Sequence, residues 1–218
     1  VTGRTYVLPK WAYGLCFGPN MREEQFDILH DAAMFRQIDV PCDLFWLEPQ
    51  WMGKRYDFST KKTWNYDRFS PEPYWVQDQY PKQLHHRLFI GKLRSMGFHL
   101  GLWLCEEYDL SLVEEDQIAL REGRGTSGQE HWMDHLKNFM DQGVEGFKLD
   151  PARTIDNHPD WPYYNGSTDA VMHNLNQVLL PKQMAELGRN YNNKRTWHHY
   201  CGGWSGTQHW TASTSGDN

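Results

Sequence analysis

"GVEGFKLDPARTID", residues 143–156, is a short apolar run that finishes on Lys148 and Asp150 and breaks at Pro151. In an extended strand successive side chains point to opposite faces. Val144, Gly146, Lys148 and Asp150 therefore share one face, and Phe147 and Leu149 share the other. The apolar pair suits a face covered by helices. The charged pair suits a strand end that opens on water, where it reads as a structural ion pair or as a carboxylate placed for chemistry.

The same strand-then-helix unit recurs on both sides of this stretch. "WAYGLCFG" (11–18) reads as a strand, and "REEQFDILHDAAMFRQID" (22–39) follows with Phe26, Leu29 and Ala33 at helical spacing. "VPCDLFWLE" (40–48) is a second strand. "PKQLHHRLFIGKLRSMG" (81–97) opens on proline, carries a 3.6-residue apolar period and stops on a glycine suited to a helix C-cap. "FHLGLWLC" (98–105) is the third strand. A polar stretch leads to "EHWMDHLKNFMDQG" (130–143), where Trp132, Leu136, Phe139 and Met140 share a helical face, and the fourth strand ends on Asp150. A helix over 170–190, disturbed at Pro181, precedes a fifth strand, "TWHHYCG" (196–202), and a sixth near "STSGDN" (213–218).

Regular alternation of this kind predicts a parallel sheet with helices outside it. Polar residues end the strands at Glu48, Glu106, Asp150 and Asp217. In a parallel α/β barrel such strand ends converge on one face. An open doubly wound sheet is the competitor, but no glycine-rich phosphate loop follows the first strand. The fold class expected is α/β, an incomplete (β/α)8 TIM barrel with about six of its eight strands.

Composition narrows the function. The 218 residues carry a net charge of −6 and no basic block, which argues against nucleic acid or an anionic membrane as partner. No apolar run approaches the roughly 18 residues of a membrane span. The four cysteines, Cys16, Cys42, Cys105 and Cys201, form no C-x-x-C pair and read as free thiols. Eleven tryptophans in a chain of mean hydropathy −0.78 suit a sugar cleft, where indole faces pack on pyranose C–H faces. Core packing accounts for some of them. Trp51 and Tyr56 are candidate sugar walls, and Trp103 suits a pocket floor or the core. Of His198 and His199, one should face the pocket and the other the helices. Adjacent histidines cannot chelate one metal from a strand, so neither metal nor cofactor is expected. Localisation and oligomeric state stay open.

The blocks "VTGRTYVLPKWAYGLCFG", "IDVPCDLFWLEPQWM", "LRSMGFHLGLWL", "GVEGFKLDPAR" and "SGDN" occur in an order that resembles glycoside hydrolase family 31, the α-glucosidase and α-xylosidase family. The resemblance spans essentially the whole chain. It implies a partial catalytic barrel domain over 1–218, with an N-terminal β-sandwich and the last barrel strands outside this chain. It implies a retaining exo-α-glycosidase in which Asp150 is the nucleophile and Asp217 the acid/base. Glu48, with Lys148, Trp51, Trp103 and His199, would bind the terminal sugar. Carbohydrate is the partner implied.

The chain departs from the family pattern at several points. Cys201 stands where an arginine is usual and Thr214 where a tryptophan is usual. Arg153 replaces a common glutamate. Glu48 replaces the commoner aspartate and is followed by Pro49. The lysine of the K-x-D context resembles members that act on xylosides and other sugars besides glucose. The alternative reading is a carbohydrate-binding barrel of the same family without turnover.

Overall fold

The computed structural model describes residues 3–70, 89–105, 107–150 and 158–213. Six strands form one sheet in sequence order: β1 (Cys16–Phe17), β2 (Leu44–Leu47), β3 (His99–Cys105), β4 (Gly146–Asp150), β5 (Trp197–Tyr200) and β6 (Ala212–Ser213). Every neighbouring pair is parallel. A doubly wound sheet would reverse its strand order at a switch point. This one only advances, as a barrel wall does, and its described edges are β1 and β6. It is an incomplete TIM barrel.

The crossover helices are α1 (Gln25–Gln37), α2 (Phe89–Ser95), α3 (Ser111–Arg121), α4 (Leu136–Gln142) and α5 (Asp169–Asn192). A capping box starts α1: Glu24 and Asp27 each accept a hydrogen bond from the other's backbone N–H. Its buried face is Ile28 and Ala32, while Phe26 is exposed, so the apolar stripe is rotated from the one expected. After α2 the chain turns at Gly97 with φ +81°, the left-handed geometry that glycine adopts without strain. The earlier part of the helix expected over 81–97 lies outside the described residues.

Alternation along the strands gives two cores. Phe45, Leu47, Leu102, Leu104, Phe147 and Leu149 pack outward with the helices in one cluster. Leu44 and Trp197 point inward, with Trp46 against them, and meet Leu8 and Ala12 of the N-terminal segment. That segment corrects the first expected strand: residues Lys10–Tyr13 form a 3-10 turn after Pro9, and only Cys16–Phe17 pairs with the sheet. Its role is to plug the bottom of the barrel. Trp11 stacks on His99 at 4.0 Å, and Arg195 Nη1 donates to the Val7 carbonyl at 3.1 Å.

Two further differences have physical causes. "SLVEEDQIALR" (111–121), passed over as part of a polar stretch, forms α3 and buries Val113, Asp116 and Ala119. Helix α5 runs unbroken through Pro181. Proline lacks the N–H that would bond the carbonyl four residues earlier, here Gln177. Thr207 Oγ1 donates to that carbonyl instead, at 3.0 Å. The same threonine sits in the 3-10 turn that delivers β6.

Replacing this donor tests the compensation: Thr207→Val should destabilise the protein by about 1–3 kcal/mol, the cost of stranding a buried acceptor, measured by urea unfolding. A second prediction concerns Asp116, whose carboxylate accepts from Ser127 N and Oγ, both at 2.6 Å, and pairs with His131 at 2.8 Å. The Ser127 hydrogen bonds, then His131, lower its pKa to about 2. A depressed acid stabilises the fold above its unfolded pKa of 3.8, and the contribution disappears as pH falls through about 2. The melting-temperature gap between wild type and Asp116→Asn should therefore be full at pH 7 and close on acidification to pH ~2.

Candidate active site

The strand register builds the site in rows. Trp46, Gly101, Gly146 and Trp197 are partners across β2 to β5. Trp46 and Trp197 stack with ring centroids 6.2 Å apart over the two glycines. A Cβ on Gly101 would stand 2.7 Å from the Trp197 ring, so the aromatic floor exists because this position is bare. The next inward row, towards the C-terminal strand ends, holds Trp103, Lys148 and His199. Cys105 and Asp150 form the last.

Lys148 and Glu48 meet across β3. Lys148 Nζ donates to Glu48 Oε1 at 3.0 Å, and Trp46 Nε1 donates to the same oxygen at 2.6 Å. Lys148 is only 6% exposed. A buried ammonium requires a counter-charge, and Glu48 supplies it. Both donors occupy Oε1, which leaves Oε2 without a partner among the described residues. Asp150 is oriented differently: Trp103 Nε1 donates to its Oδ2 at 3.0 Å. The lysine's described ion pair is thus with Glu48, and Asp150 is held by an indole.

Trp103 is both core and site, 3% exposed yet bonded to Asp150. Trp51, expected as a sugar wall, has no exposed surface among the described residues. It is wholly buried on the outer side of the strands, donates Nε1 to the Trp103 carbonyl at 2.8 Å and packs on Trp64 and Phe139. It holds Trp103 from behind. Tyr56 is the aromatic at the rim: 44% exposed, edge-on to Trp103 at 5.6 Å, with a left-handed backbone at φ 54°. Such geometry in a bulky residue is uncommon and concentrates at functional sites.

The histidines divide as the alternation requires. His199 faces inward, its ring edge-on to Trp46 and Trp197. His198 faces the helices, where burial pushes its pKa down to about 3, so it is neutral. Cys201 N donates to the Leu149 carbonyl at 3.2 Å, placing this departure from the family pattern beside β4. Asp217, Thr214, Arg153 and Glu106 lie outside the described residues. Sequence reasoning missed Trp46, although it shares strand parity with Glu48 and that signal was available.

The pair predicts a specific non-additivity. Lys148→Met leaves Glu48 without its buried counter-charge and should cost about 3–5 kcal/mol, while the double variant Lys148→Met/Glu48→Gln should recover part of the loss. Chemical denaturation of the four proteins of the cycle measures it.

A model of the glycosyl hydrolases family 31 TIM-barrel domain matches residues 5–117, just over half of the chain. The α-xylosidase of Emericella nidulans is 22% identical over 214 residues, covering 85% of this chain and 25% of that enzyme. This chain thus spans about a quarter of that curated relative. A family 31 dextranase of Flavobacterium johnsoniae, solved with glucose, aligns with a TM-score of 0.70 at 18% identity, over 99% of this chain and 28% of that one. The cycloalternan-degrading enzyme of Trueperella pyogenes, solved with a covalent intermediate, aligns at 0.69 and 19% identity, over 99% and 34%. Barrel topology, inward rows and the family match converge: the chain belongs to glycoside hydrolase family 31, within that family's TIM-barrel domain.

Proposed function

We propose that the protein carrying this chain is a retaining exo-α-glycosidase that releases a terminal α-linked sugar by double displacement. The observation that carries the reading is the placement, at the strand ends, of Glu48, whose Oε2 has no partner among the described residues, and of Asp150 with one oxygen held by Trp103.

In the first displacement Asp150 Oδ1 attacks the anomeric carbon, the glycosidic C–O bond breaks, and Asp217 gives its proton to the leaving oxygen. In the second, Asp217 takes a proton from water, the resulting oxygen attacks the same carbon, and Asp150 leaves as the carboxylate. Retention requires the two carboxyl groups to stand about 5–5.5 Å apart. The Trp103 N–H fixes the plane of Asp150 and stabilises it as leaving group in the second step. Glu48 Oε2 accepts from a hydroxyl of the terminal sugar, with Lys148 holding Glu48 in place and Trp46, Trp197 and His199 below. The relationship to an α-xylosidase and the Lys148 context favour a terminal sugar other than plain glucose, xylose first.

Cys201, where the family usually has an arginine, favours a second reading as a sugar-binding barrel without turnover. A panel of nitrophenyl α-glycosides assayed with the full-length protein separates the two. The enzyme reading expects hydrolysis that Asp150→Ala abolishes, and an activated substrate whose slow turnover by Asp217→Ala is restored by azide with formation of the α-glycosyl azide. Trp103→Phe should lower kcat/KM by about 10- to 100-fold, the worth of one hydrogen bond to a charged group. Sugar binding with no hydrolysis of any glycoside would overturn the enzyme reading.

A further inference from the structure

The 3-10 turn Pro49–Trp51 that follows Glu48 also forms the wall of a second cavity, of about 390 Å³. That volume is at the small end of the range for small-molecule sites, large enough for one sugar ring. Its lining holds three arginines, Arg22, Arg55 and Arg68, together with Gln50, Asn20 and Asn65, and no acid.

None of the three guanidinium groups pairs with a carboxylate among the described residues. Arg68 donates to the carbonyls of Met21 and Glu23, at 3.2 and 2.9 Å. Arg55 meets the Met21 sulfur and the Tyr56 hydroxyl and lies 4.9 Å over the Tyr56 ring. Arg22 makes no described side-chain contact. The acid next in sequence, Glu23, turns Oε1 to the Asn20 N–H at 3.3 Å. The two asparagines spend their carbonyl oxygens on the local turn, accepting from Arg22 N and Asp67 N, which leaves their amide N–H groups as donors.

Gln50 is the independent sign of a ligand. It is only 5% exposed, and among the described residues neither its Nε2 nor its Oε1 has a hydrogen-bond partner. Buried polar groups are almost always met, and a carboxamide closed off behind the cavity wall gains partners by turning towards a group that the cavity holds. The cavity is also tied to the cleft. Arg55 covers Tyr56, Tyr56 abuts Trp103, and Trp103 bonds Asp150.

We propose that this cavity is a subsite for a sugar bearing an anionic group, a carboxylate, sulfate or phosphate ester, in the carbohydrate that the neighbouring cleft holds. The sugar assignment rests on the glycosidase reading; the anion preference rests on the arginines and Gln50. Guanidinium groups donate in a fixed fork that matches the paired oxygens of all three anions. Gln50 turns its carboxamide to a ring hydroxyl, donating and accepting, which separates a charged sugar from a bare ion.

The test is a binding measurement on the full-length protein carrying Asp150→Ala, so that turnover plays no part. Glucuronic acid, glucose 6-phosphate, glucose 6-sulfate, glucose and inorganic phosphate are titrated by calorimetry at low and at 0.5 M salt. At least one charged sugar should bind about tenfold or more tightly than glucose, with the preference shrinking in salt. The best of them identifies whether carboxylate or ester is the natural group. Arg22→Gln/Arg55→Gln should erase the preference, and Gln50→Glu should too, by supplying an internal anion. Unchanged melting temperatures exclude misfolding as the cause; Arg68 is left intact because it ties two backbone carbonyls. Equal binding of charged and neutral sugars, a preference that survives both variants, or inorganic phosphate binding as tightly as glucose 6-phosphate would each overturn the proposal. A charged-sugar preference in a protein that hydrolyses no glycoside would uphold this site while removing the hydrolase reading.

Discussion

A lysine that is 94% hidden from water cannot keep its charge without an anion beside it, and Lys148 finds one two strands away in Glu48. Much of the cleft follows from that requirement. The pair spans β3, whose residue level with Lys148 is Trp103; Gly101, one row below, is bare for the Trp46 and Trp197 rings. Glu48 must hold still, and the Trp46 indole binds the same oxygen as the lysine does. Trp46 in turn needs a partner for its face and stacks on Trp197. One ion pair thus recruits residues of β2, β3, β4 and β5 into a single floor. Its energetic return in stability is small, since desolvating two charges consumes most of their attraction. What it secures is position: a carboxylate with one oxygen engaged by two donors and the other without a partner among the described residues.

Much of this was legible in the sequence because a parallel strand obeys a strict period of two. Lys148 and Asp150 on one face, Phe147 and Leu149 on the other, and the split between His198 and His199 all follow from counting. The strand order followed from the alternation of apolar runs with helical ones. Where the period ends, so did the reading. Trp51 comes after β2, in a 3-10 turn, and there its direction is set by the Trp103 carbonyl and the Phe139 ring. No feature of "EPQWM" encodes that. Pro181 looked like a break because the rescuing hydroxyl of Thr207 lies 26 residues further on and reaches the helix only through the fold. Helix α3 was hidden by its polarity; its buried Asp116 is satisfied by Ser127 and His131, so an acid occupies a position where periodicity seeks an apolar residue.

The lower rows of the cleft and its rim are built differently. Below the strand ends, the inward rows are filled by aromatic rings and bare glycines that constrain one another closely. At the rim, Tyr56 takes a left-handed backbone, and three arginines gather behind Pro49. A barrel wall fixes the lower rows, because each side chain there touches two neighbouring strands. Rim residues touch loops, and loops tolerate change.

The plug at the bottom of the barrel also governs the order in which the chain can assemble. The Tyr6 hydroxyl bonds the backbone of Thr196, 190 residues away, and Tyr6 N donates to the Gln208 carbonyl. Contacts so distant in sequence close a very long loop and bring no local reward until β5 is in place. During synthesis the Tyr6 segment therefore has no docking site until Thr196 and Gln208 have left the ribosome. Leu8, Ala12 and Trp11 must wait in water meanwhile, and Leu44 of β2, already paired at its edge, lacks its inner cover. The segment around Tyr6 is accordingly the closing piece of these six strands, made before them and seated after β5.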